Sequence, residues 1–442
     1  MLNLNYSTIL KVSIPLMAST FIQSIVLITD SSFLSRYDTL AFDSAGNAGL
    51  IYMTFIMAIK GFGDSAHILI AKNIGKNNEK KISSIFWSTI ILNLITSILL
   101  IAIVFFTIPD IINSYIKSQE IANGQISYLK IRSYGLLFIT ISIVINSYLM
   151  AIGKTSILLI TSFIIAISNI LLDYLLIFGN NLIPQMGIEG AAIASTISEG
   201  IGALFIILIL SLNKKQKSHK LFKKIKYDLN TFKESIKIGF PISMQGIIGL
   251  STWTIFFIWI EQIGEYELTI SQTIRSIYFL AFIPIFGFAA TTKTYVGQYY
   301  GKGSIKEIII SIKRILFLSL LFLLIFFHGS ILYPDKLISI INPNKLYIND
   351  TIDILIFMSG SILIYCISSV FFQTINGVGK TKVTFYIEII SVLIYIISAY
   401  ILIKIIKADI FWIWSVEYIY FASMGILSYI YLIKMKWKTQ NI

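Results

Sequence analysis

Apolar residues run along this chain in long unbroken blocks, and polar residues gather between the blocks instead of alternating with them. A helix needs about 20 apolar residues to cross the hydrocarbon of a bilayer. Runs of that kind cover approximately residues 7–34, 46–71, 82–108, 121–151, 156–178, 188–212, 234–260, 268–296, 309–333, 350–376, 383–404 and 409–433. The pattern predicts an all-α polytopic membrane protein with twelve transmembrane helices. Several runs are interrupted by Gly, Pro, Asn or Gln. Lipid tolerates such breaks only where neighbouring helices or a wet cavity satisfy the freed backbone groups. The first run is too long for a signal-peptide core and lacks a small-residue cleavage site, so it reads as a retained helix.

Composition agrees. Of 442 residues 56% are hydrophobic and only 13% charged, against about 25% charged in soluble domains. The net charge of +13 would suit nucleic acid, but its placement points to a membrane. The basic stretch NKKQKSHKLFKKIKYDLNTFK (213–233), the segment KNIGKNNEKK (72–81), Lys154, Lys302, Lys306, Lys380, Lys382 and the tail KMKWK (434–438) fall on one side of a twelve-helix count. The opposite loops hold fewer: Arg36, Lys117, Lys336, Lys345, Lys404 and Lys407. The positive-inside rule then places both termini and 213–233 in the cytoplasm of a protein of the cell (inner) membrane. The plain reading of the basic loop is a topology anchor beside anionic lipid, with no nucleic acid partner. Cys366 is the only cysteine, so no intrachain disulfide forms.

The two halves repeat. KVSIPLMAS matches KIGFPISMQ, IAKNIGK matches YVGQYYGK, and AIGKTS matches GVGKTK. Pro15 and Pro241, Gly75 and Gly301, and Gly153 and Gly379 are all 226 residues apart (241 − 15, 301 − 75, 379 − 153). Six helices is an even number, so both halves enter the membrane from the same side and the repeat is parallel. This predicts an N-terminal six-helix lobe (1–212), a basic linker (213–233) and a C-terminal six-helix lobe (234–442), with a substrate site between halves near mid-membrane.

Two apolar stretches carry acids. FIQSIVLITDSSFL (21–34) contains Asp30, and ISNILLDYLLIFG (167–179) contains Asn169 and Asp173. A charge at a bilayer centre costs roughly 2.5–3.5 kcal/mol on insertion scales, so such residues are functional candidates by default. Asn169 and Asp173 are four apart and share one helix face. Asp30 must come from another helix. Two carboxylates in a poorly hydrated pocket invite neutralisation by a proton, or by a sodium ion with Asn169 adding a hard oxygen; a structural hydrogen-bonded cluster is the plainer alternative. In the second half Phe256, Tyr395 and Ala399 stand where the repeat would put these residues. The acids belong to one half only.

IPLMASTFIQSIVLITD, GFGDSAHILIAKNIGK, NILLDYLLIFG…MGIEGAAIAST and GFPISMQG together resemble the multidrug and toxic compound extrusion (MATE) transporters, over nearly the whole chain. The resemblance implies a V-shaped pair of lobes and a cation-coupled exporter, not an enzyme. It works without a cofactor other than H+ or Na+, as a monomer among membrane lipid, and its expected substrate is a hydrophobic, cationic small organic molecule. In the branch with first-lobe acids, the coupling site would be Asp30, Asn169, Asp173 and Ser195, with Thr196 the neighbouring alternative. By the same likeness Gln23 and Asn146 face the first-lobe cavity and Pro15 is the bend point of the first helix. The chain departs from the branch with acids on the seventh and tenth helices: Glu261 lies at the outer end of the seventh, and Asp353 near the start of the tenth. Lys154 and Lys380 stand where the family's Gly-x-Gly-Asp-Thr loop has Asp.

Other functions fit less of the chain. GFGD (61–64) and Tyr37–Asp38 suggest an intramembrane aspartyl protease, but no proline is followed by Ala-Leu and the repeat goes unexplained. A lipid-linked oligosaccharide flippase of the same superfamily is the serious rival; it would use deep basic residues, for which Arg132 and Arg275 are the candidates. His67, His219 and His328 lack metal-ligand spacing, and the GKT triplets lack the rest of a phosphate-binding loop. Glu199, Glu388 and Asp64 receive no role from the pattern. The topology is testable by placing single cysteines: Lys217→Cys should label only from the cytoplasmic side and Asn344→Cys only from outside. Labelling of both from one face breaks the twelve-helix, parallel-repeat arrangement.

Overall fold

The computed structural model describes residues 1–212, 219, 221 and 227–435. Twelve helices among them are long and apolar enough to span a membrane. They are α1 (Tyr6–Tyr37), α2 (Thr39–Gly75), α3 (Glu79–Phe106), α4 (Gln119–Ala151), α5 (Ser156–Phe178), α6 (Gly187–Leu212), α7 (Leu229–Glu261), α8 (Glu265–Lys302), α9 (Ile305–Phe327), α10 (Lys345–Val378), α11 (Thr381–Ile406) and α12 (Ile410–Lys434). The expected all-α, twelve-span fold is what the chain adopts. Most of the basic segment 213–233, and the tail from 436, lie outside the described residues.

Helix ends are set by local chemistry. Asp38 accepts a hydrogen bond from the Ala41 amide at 2.9 Å and caps α2, and Asn344 does the same for Leu346 at 3.1 Å and α10. These side chains satisfy amides that have no partner inside the first turn. Asp38 is thus a helix cap and not half of a protease pair. Gly153 and Gly379, the repeat partners, both have left-handed backbone (φ 75° and 89°) at the turns after α4 and α10. The GKT triplets are tight turns that need glycine. Residues 229–233, expected in the linker, instead form the first turn of α7. Asp228 starts that turn: the Thr231 hydroxyl and amide donate to its carboxylate and hold it below its usual range.

The chain forms two compact units, Ile14–Ser243 and Met1–Ser13 with Met244–Ile442. Each changeover falls within α1 or α7, close to Pro15 or Pro241. Residues 1–13 group with the later half because its side chains hold their backbone. Gln298 accepts from the Leu2 amide at 2.8 Å, Tyr299 and Tyr295 donate to the Leu2 and Asn3 carbonyls at 2.7 and 2.9 Å, and Arg314 donates to Leu4 at 2.7 Å. In the first unit, Ser243 donates to the Ala58 carbonyl at 2.7 Å and Glu234 pairs with Lys81 at 3.2 Å. The glycine of GFGD fits here as packing: a Cβ on Gly61 would collide with the Ser243 backbone.

In the first unit, Tyr52, Phe55, Leu129 and Leu136 form a core between α2 and α4. Against α5, α6 presents Gly190, followed by buried Ala191, Ala192 and Ala194. Small residues let membrane helices approach closely, where no hydrophobic effect drives them together. A Cβ on Gly190 would sit 2.5 Å from the Leu176 carbonyl oxygen. Gly190→Ala should therefore lower stability by about 1–3 kcal/mol, the usual cost of overpacking. Gly46→Ala, with no atom within 4 Å of the added Cβ, should not; thermal unfolding in detergent separates the two.

Candidate functional site

The small-residue face of α6 brings Ser195 to α5, where Asn169 Nδ2 donates to Ser195 Oγ at 3.3 Å. One turn along α5, Asp173 lies against Asn169 and against Asp30 of α1, and Asp30 also lies against Ser195. Three helices thus bring four of the expected residues into one group inside the first unit. Asn169 and Asp173 are buried, Ser195 nearly so, and Asp30 half-buried. Thr196 is elsewhere engaged: its hydroxyl donates to the Ala192 carbonyl of its own helix at 2.8 Å. Between the two hydroxyls, Ser195 is the one that faces the acids.

No donor completes a hydrogen bond to Oδ1 of Asp30, to either oxygen of Asp173, or to Oδ1 of Asn169. Two carboxyl groups side by side with unsatisfied buried oxygens are costly in a medium without water. Protons on the two carboxyl groups, or small hard cations among the four oxygens, lower that cost. The donors present are carboxylate, amide and hydroxyl oxygens, hard ligands that suit a proton or a hard cation rather than a soft transition metal.

Beside the group lies a pair of Arg132, the basic candidate of the flippase reading, and Glu199, to which the pattern gave no role. Arg132 of α4 forks onto Glu199 of α6, Nη1–Oε2 at 3.0 Å and Nη2–Oε1 at 2.7 Å. Its guanidinium carbon stands 4.2 Å from the centre of the Tyr52 ring. Gly135 makes the room, since a Cβ there would lie 2.5 Å from Glu199 Oε2. The signal was legible in part: Glu199 follows Ser195 by four residues, one turn on the same face.

The other expected residues lie apart. Gln23 is exposed on α1, seven residues before Asp30. Asn146 is half-buried on α4 with an unpartnered Oδ1, fourteen residues, or about 21 Å of helix, beyond Arg132. Pro15 is buried inside an unbroken α1, where Ser19 donates to its carbonyl at 2.8 Å.

The second unit treats the corresponding positions differently. Phe256 packs with Tyr395 and Trp414, both at 5.6 Å between ring centres, and Ala399 joins the same core. Its buried acids are both supplied with donors. Tyr420 donates to Glu388 at 2.6 Å, while Tyr395 and Trp253 donate to Glu417 at 3.1 and 3.3 Å. Glu417 was not singled out from the sequence.

The MatE family model matches this chain twice, over residues 15–175 and 241–401. The chain belongs to the MatE family. The two matches begin 226 residues apart (241 − 15) and end 226 apart (401 − 175), the spacing of the repeat. The chain is 27% identical over 335 residues to the "Probable multidrug resistance protein NorM" of Thermotoga maritima, covering 75% of this chain and 71% of that one. It is 23% identical over 310 residues to the protein of the same name from Agrobacterium fabrum, covering 69% and 66%. A MOP superfamily transporter from Pyrococcus furiosus, described as having a binding pocket of reverse polarity that suggests a different function, has the same fold. Its TM-score is 0.88 at 18% identity, covering 96% of this chain and 94% of that one. A multidrug resistance MATE family transporter in an outward-facing conformation shares the fold as well, at TM-score 0.87 and 19% identity over 96% and 94%. Membership makes this MatE protein a multi-pass membrane transporter and not an enzyme.

The two hydroxyls give a direct comparison. Ser195→Ala should slow transport about tenfold, the equivalent of one hydrogen bond of about 1.4 kcal/mol. Thr196→Ala should stay within about twofold, because its hydroxyl serves only its own helix. Export of ethidium from cells expressing each variant at equal levels measures both.

Proposed function

We propose that this MatE protein is a cation-coupled exporter of hydrophobic, cationic small molecules, driven by H+ or Na+ through alternating access. It would work as a monomer in the cell (inner) membrane, surrounded by lipid, with both termini in the cytoplasm. The observation that carries the reading is the contact between the Asp30 and Asp173 carboxyl groups, beside Asn169 and Ser195, with oxygens that no donor satisfies. The names of the relatives support drug-like substrates.

Each state of the acid pair favours a different first helix. Ionised, the carboxylates repel and retain water, which holds α1 away from α5. Neutralised, they no longer need water, and α1 can bend where Pro15 removes a backbone hydrogen bond. Bending closes the space in front of α1, where Gln23 is exposed, and displaces a substrate. Each cation entering down 100 mV supplies about 2.3 kcal/mol; a singly charged substrate leaving costs as much, so one-for-one exchange draws on the cation's concentration gradient and each further cation adds the potential. The flippase alternative would need a deep basic residue for an anionic lipid; of its two candidates, Arg132 is engaged by Glu199, and Arg275 lies over the Phe257 ring at 4.7 Å.

Purified protein in liposomes, given proton and sodium gradients separately, tests the coupling: one gradient should drive ethidium uphill. Asp30→Asn and Asp173→Asn should each abolish that coupled movement while the protein still inserts. Glu388→Gln, whose carboxylate has its tyrosine, should be milder. Normal coupling in both aspartate variants, together with loss in Glu388→Gln, would falsify the assignment. Pro15→Ala should slow export more than it weakens ethidium binding, since it stiffens the moving part and leaves the acids alone; equal losses in the two measurements count against the bend.

A further inference from the structure

Charge can be counted inside the first unit, because in a poorly hydrated interior every charge must be matched. The groups that act on one another there are Asp30 from α1, Tyr52 from α2, Tyr128 and Arg132 from α4, Asp173 from α5 and Glu199 from α6. Three are acids and one is a base. Arg132 keeps its charge at any accessible pH, and it reaches electrostatically to both Asp30 and Asp173. It does not bind them, because Glu199 occupies both ends of its fork.

The geometry makes this a local choice. Tyr128 and Arg132 are four residues apart on α4, and Ser195 and Glu199 four apart on α6, so the ion pair lies one helical turn, about 6 Å, from the level of the acids. A side chain as long as arginine spans that distance. Gly135 and the Tyr52 ring hold the guanidinium against Glu199 instead.

We propose that the Arg132–Glu199 pair sets how many mobile cations the site takes up: Glu199 withholds the arginine, so Asp30 and Asp173 must be neutralised entirely from solution. The inference rests on the coupled-export reading and specifies its stoichiometry. Arg132 is a positioning residue, acting through charge and not through contact with the substrate. Without Glu199, the guanidinium turns to the acid pair as a tethered cation and displaces one that would otherwise come from solution.

The test is the balance point of exchange in liposomes clamped at zero potential. For n monovalent cations exchanged per ethidium, flux stops when the ethidium ratio equals the cation ratio to the power n. Losing one cation therefore lowers the balancing ethidium ratio tenfold under a tenfold gradient of the cation that drives the wild type. Glu199→Gln should show that tenfold fall. Arg132→Gln/Glu199→Gln, which removes both charges, should return to the wild-type ratio. Arg132→Lys/Glu199→Gln carries the same surplus charge on a slimmer side chain and should also fall tenfold, which keeps the test open if Glu199→Gln does not insert. A merely structural pair would change rates and yield in these variants but not the balance point. A wild-type balance point in active Glu199→Gln or Arg132→Lys/Glu199→Gln overturns the proposal, as does a lowered one in the double glutamine variant. Wild-type protein indifferent to either gradient overturns the coupled-export reading instead.

Discussion

The hydrocarbon interior offers no water, and each polar group inside it must find a partner within the protein. Most hydroxyls here do so at once, by bonding to a carbonyl of their own helix three or four residues back: Thr161 to Ile157, Thr196 to Ala192, Thr252 to Ile248, Ser19 to Pro15. Such residues are polar in sequence and nearly silent in chemistry. What remains after this local pairing is a short set of groups that only other helices can satisfy. That set contains the acid group of α1, α5 and α6 and the Arg132–Glu199 pair.

The two repeats meet the constraint in opposite ways. The fold is duplicated, as the twin family matches show, but the side chains at equivalent positions are not. Where the first unit has Asp30, Asn169 and Asp173, the second has Phe256, Tyr395 and Ala399 in a dry aromatic core. The second unit's own buried carboxylates, Glu388 and Glu417, receive hydroxyl and indole donors. One unit is left with an electrostatic imbalance and the other is largely resolved. Under the proposed coupling, that imbalance is what an entering cation would neutralise, and its confinement to one unit would give the exchange a single place.

Glycine and proline arrange these contrasts. Gly190 lets α6 lie close enough to α5 for Ser195 to meet Asn169, and Gly135 leaves space for Glu199 beside Arg132. Pro15 and Pro241 sit near the points where the chain passes from one compact unit to the other. Neither glycine carries charge, yet each makes room for polar groups to touch.

The twelve spans, the family and the 226-residue repeat were legible in the sequence because each rests on a property that accumulates along the chain: apolar length, motif order, constant spacing. The acids too were legible, since an aspartate in an apolar run stands out without any neighbour in view, and the four-residue step from Asn169 to Asp173 follows from helix geometry alone. Partnership was not. Ser195 and Thr196 are adjacent and chemically alike, and only the rotation of α6 against α5 separates them. Glu199 and Arg132 are 67 residues apart, Glu417 finds its donors on α7 and α11, and residues 1–13 join a unit that begins again at Met244. A sequence states which groups need a partner in lipid; which partner each one obtains depends on contacts between helices distant in the chain, and those are set by packing in three dimensions.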